Sequence, residues 1–329
     1  MPQQPLGSGF TAASTTADVL AGRDLTGTHV VVTAGHRGLG LVTTRALAAA
    51  GASVTVATRH PERAAETFAG VDGVSVERLD LLDPASISAF ARTQHEVHVL
   101  VNCANFPAPQ EVERDGRGYE KQFATGHLGH FQLTVELLPA LRAAGGARVV
   151  TLSSGAHRFG EIRWGDPGFS TGYHPMTAYA QTKLANVLFS VELDRRFRDE
   201  QIRGYAVHPG VIVMGAADNP AWAATLRDQG LLDEDGNPVI DPERGKKTPE
   251  QGASTVVFAA THPLLADVGG VYLKDADVSR VDDEPRELTA DAIPSEVTSA
   301  ALDPATAHRL WEWSEELTGV APSGAPRSR

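Results

Sequence analysis

Apolar bursts alternate with amphipathic stretches along nearly the whole chain. Residues 29–33 (HVVVT) form a near-continuous apolar run of strand length. A helical pattern follows over about 39–50, where Gly51 stops it. Further strands are expected at 54–58, 74–78, 97–102, 148–152, 203–207 and 270–273, with helices near 62–68, 85–94, 117–143 and 177–198. Strands that read apolar throughout, without alternation, are buried on both faces, so this order predicts an α/β fold with a parallel sheet between helical layers. Asp83-Pro84 and Asp303-Pro304 each set a capping acid before a proline suited to the first helical position. Thr248-Pro-Glu-Gln251 reads as a capping box, and Pro263 ends the helix it starts.

No Gly/Ser-rich or Pro-rich linker divides the middle, so residues 21–319 are expected to form a single domain. Residues 1–20 and 320–329 are rich in Ser, Thr, Pro and Gly, and are expected to be a poorly packed extension and a disordered tail. The turn-rich stretch 215–247 follows the sixth strand, a place suited to a mobile substrate lid.

Of 329 residues, 42% are hydrophobic, enough for one large core. The net charge of −12 argues against a nucleic-acid surface. The single cysteine, Cys103, excludes an internal disulfide and fits a reducing compartment. No apolar run approaches the ~18 residues of a membrane helix. The segment MPQQPLGSGF lacks the basic and apolar regions of a signal peptide, so a cytoplasmic protein without a membrane span is expected. No internal repeat and no zinc-type Cys/His spacing is present, so no metal is expected.

Tyr179-Ala-Gln-Thr-Lys183 carries the most chemical information. A phenol and an ammonium four residues apart share one helix face, and the cation favours phenolate beside it. A tyrosine so placed can exchange a proton with a substrate oxygen near neutral pH. Alone, Y-x-x-x-K is common by chance. Here it accompanies a serine pair at a strand end, Ser153-Ser154, and a glycine-rich turn, Thr33-Ala-Gly-His-Arg-Gly-Leu-Gly40. In that turn Gly35, Gly38 and Gly40 let the backbone approach a pyrophosphate, with Leu39 at the start of a helix whose free amides favour anions. Nineteen residues past Gly40, where an acid would hold a ribose diol, stands Arg59. Arg59 and Arg37 offer planar donors suited to a 2′-phosphate; the competing reading is a pair of solvated surface arginines.

Together these features resemble the short-chain dehydrogenase/reductase family, from about Ser8 to Gly319. Gly22-Arg-Asp-Leu-Thr-Gly27, His127-Leu-Gly-His-Phe131, Lys183-Leu-Ala-Asn-Val-Leu-Phe189 and His208-Pro-Gly210 look most like the retinol-dehydrogenase and WW-domain-oxidoreductase branch. The resemblance implies a Rossmann-type doubly wound sheet and makes Tyr179 the general acid/base. Lys183 would hold the nicotinamide ribose, and Ser154 would hydrogen-bond the substrate oxygen. Asp80 and Leu81 would lie at adenine, Asn102 and Ala104 along the cofactor, and Pro209, Gly210 and Val211 beneath the nicotinamide. It implies an NADP(H)-dependent oxidoreductase acting on a lipophilic carbonyl or alcohol, in a homodimer or tetramer. The alternative is an NADP(H)-binding sensor or scaffold with little turnover.

Four positions depart from the family pattern. Its first turn glycine is Ala34, and its Asn-Asn-Ala-Gly becomes Asn102-Cys103-Ala104-Asn105. The asparagine expected before His127, which would hold a relay water, is Gly126; His127 or His130 could stand in for it. A glycine inside a helix costs about 0.5–1 kcal/mol relative to alanine, so filling position 126 is expected to stabilise. The threonine expected near the nicotinamide carboxamide is Met214. His157, His208, Trp164, Tyr173 and Trp222 could line a substrate pocket, though each residue type is more often simply packed. The insert 160–173, with Trp164 and Phe169, is expected near the substrate entrance. Trp311 and Cys103 read as core.

Overall fold

The structure, a computed structural model, describes residues 3–106, 109–214, 220–287, 289 and 293–322, the side chains of 220–222 excepted. Its centre is one eight-stranded sheet: β1 (His29–Thr33), β2 (Ser53–Thr58), β3 (Val74–Arg78), β4 (Val99–Asn102), β5 (Ala147–Leu152), β6 (Ile202–His208), β7 (Val271–Lys274) and β8 (Asp277–Val278). The order is β3-β2-β1-β4-β5-β6-β7-β8, parallel except for β8, which pairs antiparallel with β7. That last strand is two residues long, too short to leave an apolar pattern. Its hairpin turn places Asp275 and Ala276 both at positive φ (54° and 55°).

Strand order reverses between β1 and β4, and loops leaving adjacent strand ends there diverge to open a cleft. Along β1 the side chains alternate between faces. Val30 and Val32 join one core with Leu47 and Val256–Phe258, and Val31 joins the other with Phe131, Phe189 and Trp311. The helices are α1 (Thr16–Leu20), α2 (Gly38–Ala49), α3 (Pro61–Thr67), α4 (Pro84–Thr93), α5 (Lys121–Phe123), α6 (Gly129–Ala143), α7 (Pro175–Phe197), α8 (Pro220–Asp228), α9 (Pro249–Thr261) and α10 (Pro304–Thr318). Asp83, Thr248 and Asp303 cap α4, α9 and α10 as expected. A π-turn, Ala124–Leu128, joins α5 to α6 into one bent helix. It begins at 121 rather than 117 because Glu120 caps it and pairs across a small bridge with Arg114.

Residues 1–20 were expected to pack poorly, and the contacts of the described residues 3–20 say otherwise. The Gln3 amide donates to the carbonyls of Tyr272 and Ser279 (2.7 and 2.8 Å) and accepts from the Tyr272 amide (3.0 Å). The Asp277 carboxylate accepts from the backbone amides of Leu6, Gly7 and Ser8. Phe10 sets its ring edge-on to Phe258, and α1 packs against α9. Polar side chains thus satisfy the backbone at the sheet edge, a long-range match that local composition does not reveal. At the other end Val320 rests on the core. Positions 215–219 of the expected lid, the side chain of Trp222 and residues 323–329 of the expected tail lie outside the described residues.

Candidate active site

The glycine-rich turn joins β1 to α2. Ala34 takes φ 53°, a left-handed conformation that glycine adopts without strain. Gly40 is required by contact, since a β-carbon there would stand 2.6 Å from the Ala34 carbonyl oxygen. Arg37 occupies the N-cap of α2 without a side-chain cap hydrogen bond. The first amides of α2, at Gly38 and Leu39, are therefore open to an anion. Gly35 is enclosed by Thr44, Val32 and Val56, so it shapes the turn from behind.

A cleft opens at the switch point beside this turn. Arg37, Arg59, Asp80, Leu81 and Ala104 line it together, which brings the ends of β1, β2, β3 and β4 to one place. Both arginines are exposed, and among the described residues neither pairs with a carboxylate. Asp80 faces inward, its carboxylate accepting from the Leu82 amide at 3.0 Å. His36 and His60 lie in the same wall. Burial, then the charge of Arg37, holds the His36 pKa below the usual imidazole range.

Behind the cleft runs a buried hydrogen-bonded chain. The Thr33 hydroxyl oxygen accepts from the amides of Cys103 and Ala104, both at 2.9 Å, and lies 2.9 Å from His130 Nε2. His130 Nδ1 donates to the Gly126 carbonyl oxygen at 3.1 Å. Burial lowers its pKa to about 4, so the ring is neutral and Nε2 must accept from Thr33. Asn102 donates to Thr134 and Thr151. Desolvation pushes the Cys103 thiol up to about 11, which keeps it protonated and inert, as a filler should be.

Helix α7 holds the phenol and the ammonium. It is buried on nearly every side, between β6 and α10, which fixes its rotation and height. Lys183 is 5% exposed, and its Nζ lies 5.3 Å from the Tyr179 ring centroid. The same Nζ donates to the Leu152 carbonyl oxygen at 3.2 Å, and Asn186 Nδ2 donates to that oxygen at 2.9 Å. Tyr179 is half-buried, and no hydrogen bond reaches its hydroxyl among the described residues. Ser154 caps the turn Gly155–Phe159, which packs against α7. Its Oγ accepts from the Ala156 amide at 3.3 Å, leaving the hydroxyl proton free for another acceptor. The neighbouring Ser153 instead donates to the Lys183 carbonyl oxygen at 2.8 Å and serves packing.

The turn Pro209-Gly210-Val211 follows β6. Gly210 has φ 87°, and a β-carbon there would stand 2.8 Å from Lys247 Cδ. Val211 pairs with the chain at 245–247 through two backbone hydrogen bonds (2.8 and 2.9 Å). Lys247, buried, ion-pairs with Asp275 in the β7–β8 turn. Sequence reasoning passed over Lys247, because nothing local marks it as a brace. Met214 reaches across to Gly38, its methyl carbon 3.6 Å from where a β-carbon would be.

Neither histidine at the bend is among the residues that line the cleft. His127 donates to Ser314 among aromatic rings, and burial lowers its pKa to about 3. His157 and His208 sit behind Ser154: His157 Nδ1 donates to the Ser154 carbonyl, and His208 Nδ1 accepts from the Gly155 amide. Trp164 packs on Trp313 and Arg309 of α10, and Phe169 is 1% exposed against Arg163, so these two insert residues serve packing. Tyr173 donates to the Pro109 carbonyl. Trp311 is core, as expected.

The family model described as short chain dehydrogenase matches residues 28–221. A probable oxidoreductase of Streptomyces lividans is 42% identical over 300 residues, covering 89% of this chain and 98% of that protein. Retinol dehydrogenase 12 of Mus musculus is 35% identical over 305 residues, covering 89% of this chain and 87% of that protein. A crystal structure of an uncharacterized protein from Mycobacterium Paratuberculosis superposes with a TM-score of 0.70 at 31% identity, covering 94% of this chain and 99% of that one.

Proposed function

Because the chain belongs to the short-chain dehydrogenase family, we propose that it is an NADP(H)-dependent oxidoreductase of lipophilic carbonyl or alcohol substrates, with Tyr179 as general acid/base. One observation carries the reading. Tyr179 and Lys183 lie a turn apart on a buried helix, with the Lys183 ammonium against the Tyr179 ring and the Ser154 turn packed beside them.

The residues present suit a dinucleotide with a third phosphate. The uncapped start of α2 and the close turn at Gly40 favour a pyrophosphate. Arg37 and Arg59, exposed at the cleft and without a carboxylate partner among the described residues, suit a 2′-phosphate. When bound, the nicotinamide supplies or takes the hydride.

The chain's own residues handle the proton. In the reducing direction Ser154 donates its free hydroxyl proton in a hydrogen bond to the substrate oxygen. Tyr179 transfers its phenolic proton to that oxygen as negative charge grows there. The Lys183 ammonium stabilises the charge left on the Tyr179 oxygen, and the Leu152 carbonyl and Asn186 hold Lys183 in place. In the oxidising direction the same proton returns to Tyr179.

Exposed apolar side chains flank these residues in the chain. Phe159, the last residue of the turn that Ser154 caps, is 54% exposed, and Met176 is 51% exposed one turn before Tyr179. They support a lipophilic substrate, in keeping with the retinol of the mouse relative's name. The stretch 215–247 suits a cover over this mouth, since its return at 245–247 is clamped to Val211. A second reading, cofactor binding with little turnover, is favoured by Met214 standing where the family pattern has a threonine near the nicotinamide carboxamide.

A panel of aliphatic and aromatic aldehydes and ketones, followed by NADPH absorbance, tests the function. Turnover that falls by about 10²–10⁴ in Tyr179→Phe, with NADPH affinity kept, is the expected result. Native-like turnover in Tyr179→Phe would remove Tyr179 from its role. Tight NADPH binding with no turnover on any compound would favour the second reading.

A further inference from the structure

Gly126 lies in the middle of the π-turn that bends the α5–α6 helix, and α7 fills the space a side chain would need there. A β-carbon on Gly126 would stand 2.6 Å from the Thr182 methyl group, one residue before Lys183. No side chain can grow from position 126 unless Thr182 gives way. The amide of Asn105 reaches the same spot from the loop after β4. Its Oδ1 lies 3.4 Å from the same β-carbon position.

That oxygen is buried and, among the described residues, has no hydrogen-bond partner. A buried carbonyl oxygen left without a donor is costly, so one that persists at a site marks the place of a donor from outside the chain. Asn105 also lines the cleft with Ala104 and Thr125. The Gly126 carbonyl is taken by His130, whose neutral ring cannot also serve Asn105. Among the described residues Lys183 Nζ makes one hydrogen bond, to Leu152, of the three an ammonium can donate.

We propose that Asn105 is a positioning residue of this site, whose amide oxygen accepts a hydrogen bond from an O–H donor at the helix bend. That donor is a cofactor ribose hydroxyl or a water held against the bend. In either case the loop after β4 supplies the polar side chain that the helix cannot carry at Gly126. The proposal rests on the function given above, and its test separates the two.

The full-length protein is made as wild type, as Asn105→Gly, and as a swap combining Asn105→Gly, Gly126→Asn and Thr182→Ser. Thr182→Ser removes the obstructing methyl and keeps the hydrogen bond from the hydroxyl to Ala178. NADPH affinity is read by fluorescence; kcat, KM and the solvent deuterium isotope effect are read with decanal, and urea midpoints confirm folding. Asn105→Gly is expected to weaken NADPH about 3- to 10-fold if the donor is a ribose hydroxyl. If the donor is water, NADPH affinity holds while kcat falls by a similar factor and the isotope effect rises. The swap recovers most of whichever loss is seen, which a purely structural defect at 105 would not do. A folded Asn105→Gly with all of these unchanged overturns the proposal, as does a loss the swap leaves in place. Tyr179→Phe runs alongside: if it loses turnover while Asn105→Gly changes nothing, only this inference fails. If no decanal turnover occurs in the wild type, the proposal is overturned when both the NADPH affinity and the urea midpoint of Asn105→Gly match the wild type.

Discussion

The Thr182 methyl group stands 2.6 Å from the place a β-carbon on Gly126 would occupy, closer than two packed carbons approach. By helix propensity alone, filling position 126 should stabilise the chain. The contact reverses the sign. Gly126→Ala and Gly126→Asn are expected to destabilise by about 1–3 kcal/mol through overpacking. Urea unfolding measures this, and adding Thr182→Ser should return most of the loss. A stabilised Gly126→Ala would mean that α7 yields easily at this point.

Cofactor choice is predicted to turn on Arg59. A hydrogen bond to a charged group contributes about 1.5–3 kcal/mol, so Arg59→Ala should weaken NADPH by roughly 10- to 150-fold. NADH, which lacks the 2′-phosphate, should be nearly indifferent. Fluorescence titration of both cofactors decides it; equal losses would show that Arg59 contacts something common to the two.

Acid stability should follow the buried histidines. Burial holds His127 at about 3 and His130 and His157 at about 4, while each would protonate near 6.5 in the unfolded chain. Between those values the unfolded state binds more protons, so stability is full above about pH 6.5 and falls as pH drops toward 4. Each histidine contributes a slope of about 1.4 kcal/mol per pH unit within that window. Urea midpoints from pH 7.5 to 5 should decline, and His127→Phe should flatten the decline. A midpoint constant across that range would indicate that these rings are charged in the native state.

Asp277 should anchor the N-terminal strap. Its carboxylate accepts three backbone amides from residues 6–8. Asp277→Ala is predicted to cost about 1–3 kcal/mol, because those amides lose a charged acceptor. Thermal unfolding and proteolysis near the N-terminus give the measure; unchanged susceptibility would mean that Gln3 and Phe10 suffice.

Much was legible in the sequence because it was written in local pattern. The apolar run at 29–33 became the buried strand β1 and the alternating stretch at 74–78 became the edge strand β3, each with the same limits, and the Asp-Pro and Thr-Pro-Glu-Gln signals became real caps. Strand burial on both faces and helix capping are short-range physics, so a few neighbouring residues suffice to reveal them. The Tyr179–Lys183 pairing was visible for the same reason, since four residues on a helix always share a face.

Tertiary structure alone decided what depends on residues far apart in the chain. Gln3 completes the backbone pairing of Tyr272, 269 residues away, which turned an expected loose end into a packed one. Lys247 braces the turn at Gly210 and pairs with Asp275, and nothing local marks Lys247 or Asp275 for those contacts. Gly126 read as a weak point in a helix until Thr182 and Asn105 were found around it. A side chain's cost or use at such a place is set by the atoms that meet it across the core. Those meetings are fixed only when sheet and helices close together.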